Sequence, residues 1–98
     1  MPTINAIIKA KKDQISFVEE ALLKVSDNVK LNEPDTINFF VAKDIDKPNI
    51  FVTYERFLSD EAMEVHNNSD TVLEFMEKVK GKLDDEIKII VCSEISIK

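Results

Sequence analysis

Ninety-eight residues suit a single domain spanning 1–98, and a chain this short buries only about 60–65% of the surface its unfolded form exposes. Thirteen basic against nineteen acidic residues give a formal net charge of -6, which repels phosphate backbones and anionic lipid, so nucleic acid is not an expected partner. Cys92 is the one cysteine, which excludes an intramolecular disulfide or a thiolate metal cluster, and one histidine excludes a His-rich zinc site.

The first strand is expected over Ile4 to Ala10, with Ile4, Ala6, Ile8 and Ala10 on one face and Asn5, Ile7 and Lys9 on the other. This apolar stretch is too soon interrupted by Lys9, Lys11 and Lys12 to read as a signal peptide. No apolar run nears the ~20 residues of a membrane span, so the expectation is a cytoplasmic protein with no membrane partner. Asp13 is a candidate cap for a helix in which Ile15, Val18, Leu22, Val25 and Val29 recur at spacings of three and four, while Glu19, Glu20 and Lys24 fall off that stripe. Asn32-Glu33-Pro34-Asp35 is a turn cluster, because Pro34 bars further helix.

Thr36 to Lys43 follows as a second strand, with Ile37, Phe39 and Val41 opposed to Asn38, Phe40 and Ala42. The polar connection Asp44 to Asn49 has hairpin length, so the next strand, Ile50 to Phe57, should be its antiparallel neighbour. Tyr54 and Glu55 must then point to opposite faces. Ser59 starts a short helix, its hydroxyl free to accept from first-turn amides, with Asp60 and Glu61 at the positive end of the dipole. That helix ends near His66. Asn67 to Asp70 makes a break and a second cap, and Val72, Phe75, Met76, Val79 and Leu83 form the last helical stripe, near Gly81. A fourth strand is expected over about Glu86 to Ile97.

The order β-α-β-β-α-β, with the second helix in two pieces, predicts an α+β ferredoxin-like domain with a four-stranded antiparallel sheet. Two helices can cover only one face of such a sheet, yet several strands carry apolar residues on both. A second copy on the bare face, giving a homodimer, is the simplest cover.

Glu33-Pro34, Phe39 to Asp44, Phe51, Tyr54-Glu55, Ser59 to Ala62, His66 and Ser69 together give a pattern that resembles the antibiotic biosynthesis monooxygenase domains. The resemblance runs from Ile4 to about Leu83. It implies a dimeric α+β barrel, two sheets facing each other with helices outside, and a cofactor-independent reaction, with neither metal nor flavin, in which a small quinol or aromatic phenolate reacts directly with molecular oxygen. A related branch degrades haem with an Asn on the first strand, a Trp near the position of His66 and a His ligand on the last helix. This chain has Asn5 but no Trp, and the ligand position falls near Met76, so the resemblance points away from haem degradation.

No phosphate-binding glycine loop, G-x-S-x-G elbow or C-x-x-C occurs. His66 is then the leading candidate catalytic residue, as a base, the alternative being a helix-end His that donates to a carbonyl. Asn5 is a second candidate, to fix a substrate oxygen or to satisfy a backbone group. Tyr54, Glu55, Phe40, Phe75 and Met76 are candidate substrate-binding residues. Against this, Glu55 could pair with a lysine or with Arg56 of a neighbouring copy, and the Phe and Met residues could be plain core. Two other functions stay open on this scaffold, a non-catalytic small-molecule binder or sensor and a small-molecule isomerase.

Overall fold

Residues that alternate apolar and polar form four strands, β1 (Pro2–Lys9), β2 (Thr36–Lys43), β3 (Ile50–Phe57) and β4 (Lys88–Ser93). Those with helical periodicity form α1 (Ile15–Asn32), α2 (Asp60–Asn67) and α3 (Asp70–Lys78). In the computed structural model, which describes all 98 residues, the strands make one antiparallel sheet in the order β2-β3-β1-β4. This is the ferredoxin-like α+β arrangement.

One sheet face is buried. Ile4, Ala6 and Ile8 of β1 and Phe51, Thr53, Glu55 and Phe57 of β3 point into it. Onto these α1 lays Val18, Ala21, Leu22, Val25 and Val29, joined by Phe75 of α3 and by Val79. A smaller cluster of Ile4, Phe57 and Ala62 lies under α2. Asn49 ties the two central strands at one end: its side-chain amide donates to the Ala10 carbonyl (3.0 Å), and its own carbonyl accepts from the Ala10 amide (2.8 Å). In the β2–β3 loop, the Asp44 carboxylate accepts from the amides of Asp46 (2.8 Å) and Lys47 (2.9 Å). These backbone hydrogen bonds hold the Asp44 carboxyl below its ordinary value.

The opposite face stays uncovered. Ile7, Phe40, Val52 and Ile90 on it are 43%, 58%, 40% and 53% exposed, which is a contiguous apolar surface that the helices do not reach. No helix is long and apolar enough to cross a membrane.

Four local expectations are corrected. Asp13 does not cap α1; Gln14 occupies that position without a side-chain bond, and the Gln14 amide instead donates to the Lys11 carbonyl (2.8 Å). A register shift between Thr36 and Asn38 makes Ile37 the extra residue of β2, so Thr36 is buried and Ile37 is exposed, off the face of Phe39. Strand β4 runs from Lys88 to Ser93 rather than from about Glu86 to Ile97: Ser93 pairs with Pro2, and past it only the Glu94 amide bonds to β1's side of the sheet, donating to the Met1 carbonyl (3.3 Å) while its carboxylate turns to Arg56 (2.8 Å). Helix α3 stops at Lys78, with Gly81 in a left-handed turn (φ 75°) that turns Leu83 back to bridge Ala10.

Phe51 is 1% exposed at the centre of the larger cluster. Phe51→Ala should therefore cost about 3–5 kcal/mol, read as a lowered midpoint in urea with little change in slope.

Candidate functional site

Helix α2 exists to carry one side chain inward. Ser59 caps it, accepting from the Ala62 amide (3.1 Å), and Ser69 caps α3 in the same way from Val72 (3.2 Å). Ala62 and His66, four residues apart, are its buried positions. Ala62 packs on Ile4 and Phe57, and that contact aims His66, one turn later, between the rings of Phe39 and Phe57 (centroids 5.5 and 5.3 Å).

At 3% exposure the His66 ring needs partners for both nitrogens, and it has them. Nδ1 lies 2.8 Å from Glu33 Oε1 and Nε2 lies 3.1 Å from Glu55 Oε1. Glu33 directly follows α1, where its amide still donates to the Val29 carbonyl and Pro34 ends the helix. Its Oε1 also accepts from the Thr36 hydroxyl (2.8 Å), and its Oε2 from the Asn28 side chain (3.3 Å). Glu55 stands on the buried face of β3, and its Oε2 accepts from the Thr53 hydroxyl (2.7 Å), two residues back on the same face. Every buried side-chain polar atom in the molecule is satisfied.

Burial is the largest influence on the His66 imidazole and disfavours its charged form. The hydrogen bonds to Glu55 and Glu33, with their charges, outweigh it, so the ring holds its proton above its ordinary value of 6.5.

Glu55 and His66 form the polar part of a cavity of about 90 Å³ between sheet and helices. Eleven of its fifteen lining residues are hydrophobic, so it suits an apolar guest. Against the ~150 Å³ of an apolar cavity that holds benzene, its size limits that guest to one small ring reaching into the mouth. Met76 and Ile89 are half-exposed on the rim, while Phe75 and Ile8 are buried deeper in the wall. No group of three or more His, Cys, Asp or Glu side chains is arranged to hold a metal ion.

A sequence profile of the family described as "Antibiotic biosynthesis monooxygenase" matches residues 1–78. The chain belongs to the antibiotic biosynthesis monooxygenase family. No protein of curated function matches it. Among solved structures it is similar to a candidate antibiotic biosynthesis monooxygenase from Nitrosomonas europaea, at 18% identity and a TM-score of 0.89 over 98% of this chain and 100% of that one. It is similar also to one from Deinococcus radiodurans (17%, TM-score 0.89, 100% and 96%) and to a protein from Mycobacterium tuberculosis (18%, TM-score 0.90, 98% and 96%). At these identities the likeness is one of fold.

Within this antibiotic biosynthesis monooxygenase domain the residues singled out from sequence divide by sheet face. His66, Glu55, Phe75 and Met76 line the cavity. Asn5, Tyr54 and Phe40 do not: of the Tyr54–Glu55 pair, expected on opposite faces, Tyr54 is the one that faces away, and Asn5 and Phe40 share its side, so these three candidates lie outside this cavity. Strand alternation puts Asn5 opposite Tyr54 and Ile90 on the uncovered face, where Phe40 stacks on Tyr54 (6.3 Å) and the Asn5 amide approaches Cys92 Sγ (3.8 Å). Glu55 pairs with His66 rather than with Arg56 or a lysine. Glu33 was not singled out as a site residue, although it belongs to the pattern by which the chain resembles the family. Its signal was a lone carboxylate just past a helix end, which in sequence is ordinary turn chemistry.

The raised His66 value makes stability depend on pH. In the unfolded chain the imidazole titrates near 6.5 and in the fold above it, so the stabilisation is complete below 6.5 and is lost as pH rises through the folded value. Denaturant midpoints measured from about pH 6 to about pH 9 should fall with rising pH, and His66→Gln should lose most of that slope.

Proposed function

We propose that this protein is a cofactor-independent monooxygenase acting on a small quinol or other phenolic aromatic, with Glu55 and His66 as the proton acceptor. One observation carries the reading: a buried carboxylate–imidazole pair forms the polar end of an otherwise apolar cavity of about 90 Å³, whose mouth can take a small ring. A phenol seated there with its hydroxyl at Glu55 gives up its proton to the pair, and the resulting phenolate is electron-rich enough to react with molecular oxygen. One oxygen atom ends on a ring carbon in place of hydrogen and the other leaves as water. All four electrons come from the quinol, which finishes as a hydroxyquinone, so neither metal nor flavin is required. Phe75 and Met76 form part of the apolar wall against which the ring is held.

The uncovered sheet face supports a homodimer in this reading. Ile7, Phe40, Val52 and Ile90 lie together on it, and burying them against a second copy in an interface of over ~1,000 Å² would make a specific contact. Two sheets would then face each other with helices outside.

A second reading, a non-catalytic small-molecule binder, is favoured by the internal satisfaction of the Glu33–His66–Glu55 chain, in which every buried polar atom already has a partner without a substrate. An isomerase of hydroxylated carbonyl compounds fits less well, since the wall formed by Leu22, Val72 and Phe75 offers no second polar anchor.

Oxygen uptake with a panel of reduced quinones separates these. Uptake by the parent, reduced about 10²–10⁴-fold in both Glu55→Gln and His66→Gln, supports the monooxygenase. No uptake by the parent favours the binder, and uptake unchanged in both variants removes the pair from the chemistry. For the assembly, light scattering should return twice the 11.2 kDa chain mass, and Phe40→Glu, which sets like charges against each other across a two-fold contact, should return the single chain.

A further inference from the structure

The bonds at the His66 ring fix the charge of the cavity wall. Each of them, Nδ1 to Glu33 (2.8 Å) and Nε2 to Glu55 (3.1 Å), needs one proton. Two protons spread over one imidazole and two carboxylates leave one net negative charge, wherever along the chain each proton lies. No lysine or arginine lines the cavity to offset it. The ring has no free nitrogen to offer a ligand, and the Thr53 hydroxyl already donates to Glu55 Oε2 (2.7 Å). Asn67, the remaining polar residue of the wall, is exposed at the rim. The oxygens of Glu55 each accept one bond within the protein, and each has a further lone pair. At its polar end, then, the cavity presents an acceptor and no donor.

We infer that the cavity selects small apolar molecules that end in a neutral or cationic hydrogen-bond donor, such as a phenol hydroxyl or an amine, and rejects carboxylates and phosphates, with Glu55 as the specificity-determining residue. A phenol gives up the modest hydration of one hydroxyl and gains a bond to an ionised acceptor. A carboxylate would give up its water, face a wall of its own sign and find no counter-ion. The inference concerns the same site as the proposed monooxygenase and rests on that reading for the location of the ligand, but it does not require turnover.

Phenol, toluene and benzoate make the comparison, because phenol and toluene have nearly the same shape and toluene is the more apolar. His66 is the only histidine, so its ring signals in NMR report binding at this site alone. Titrated near neutral pH, phenol should saturate these signals at lower concentration than toluene, and benzoate should bind about a hundredfold more weakly than phenol. Glu55→Gln should abolish the preference for phenol over toluene and bring benzoate closer to both. Benzoate binding as tightly as phenol, toluene binding better than phenol, or none of the three perturbing the ring would each overturn the inference. The ranking in the parent protein decides the matter even if Glu55→Gln does not fold. Selective phenol binding without oxygen uptake would sink the monooxygenase and keep this inference; uptake with benzoate bound as tightly as phenol would do the reverse.

Discussion

The interaction on which the site depends is the pair of hydrogen bonds that hold the His66 ring between Glu33 and Glu55. Three parts of the chain meet there: the residue that ends α1, the centre of the buried face of β3 and the last turn of α2. Taking a carboxylate or an imidazole out of water is expensive, and none of these groups would be tolerated at such burial without the others. Thr36, Asn28 and Thr53 complete the arrangement, each donating one further bond to one of the two carboxylates. Positional accuracy at the ring follows from this mutual satisfaction rather than from packing alone.

The sheet supplies the second constraint. Alternation along β3 sends Phe51, Thr53, Glu55 and Phe57 towards the helices, and Val52, Tyr54 and Arg56 away from them. A polar residue in the middle of an apolar strand face is normally a liability. Here Thr53 and Glu55 form the polar end of a cavity whose other walls come from α1, α3 and the approach to β4. The same alternation puts Val52 and Tyr54 on the uncovered face, beside Ile7, Asn5 and Phe40.

Much of this was legible in the sequence because it depended on periodicity and on strong local signals. The bounds of β2 and β3, the capping serine at 59, a second cap within Asn67 to Asp70 and the end of α2 near His66 followed from patterns within a few residues. What could not be read was set by distant partners. Nothing near Glu33 announces that it will meet a ring thirty-three positions later, and nothing in β4 announces that its ladder with β1 ends at the Ser93–Pro2 pair. Asp13 looked like a cap because its side chain is suited to the role, yet the backbone bond from Gln14 to Lys11 settled the helix start one residue on. The Asn5 candidacy failed to reach the cavity for a reason already contained in the strand pattern: a residue opposite to Ile4 and Ala6 cannot share their side of the sheet.

Strand β4 has a ladder on one side only, bonded to β1, and all six of its residues are exposed. Its Ile89, with Ile87 just before it, also closes one side of the cavity. A short edge strand of the sheet is thus also one wall of the cavity. Opening of that margin, which amide exchange would register early, would open the cavity with it.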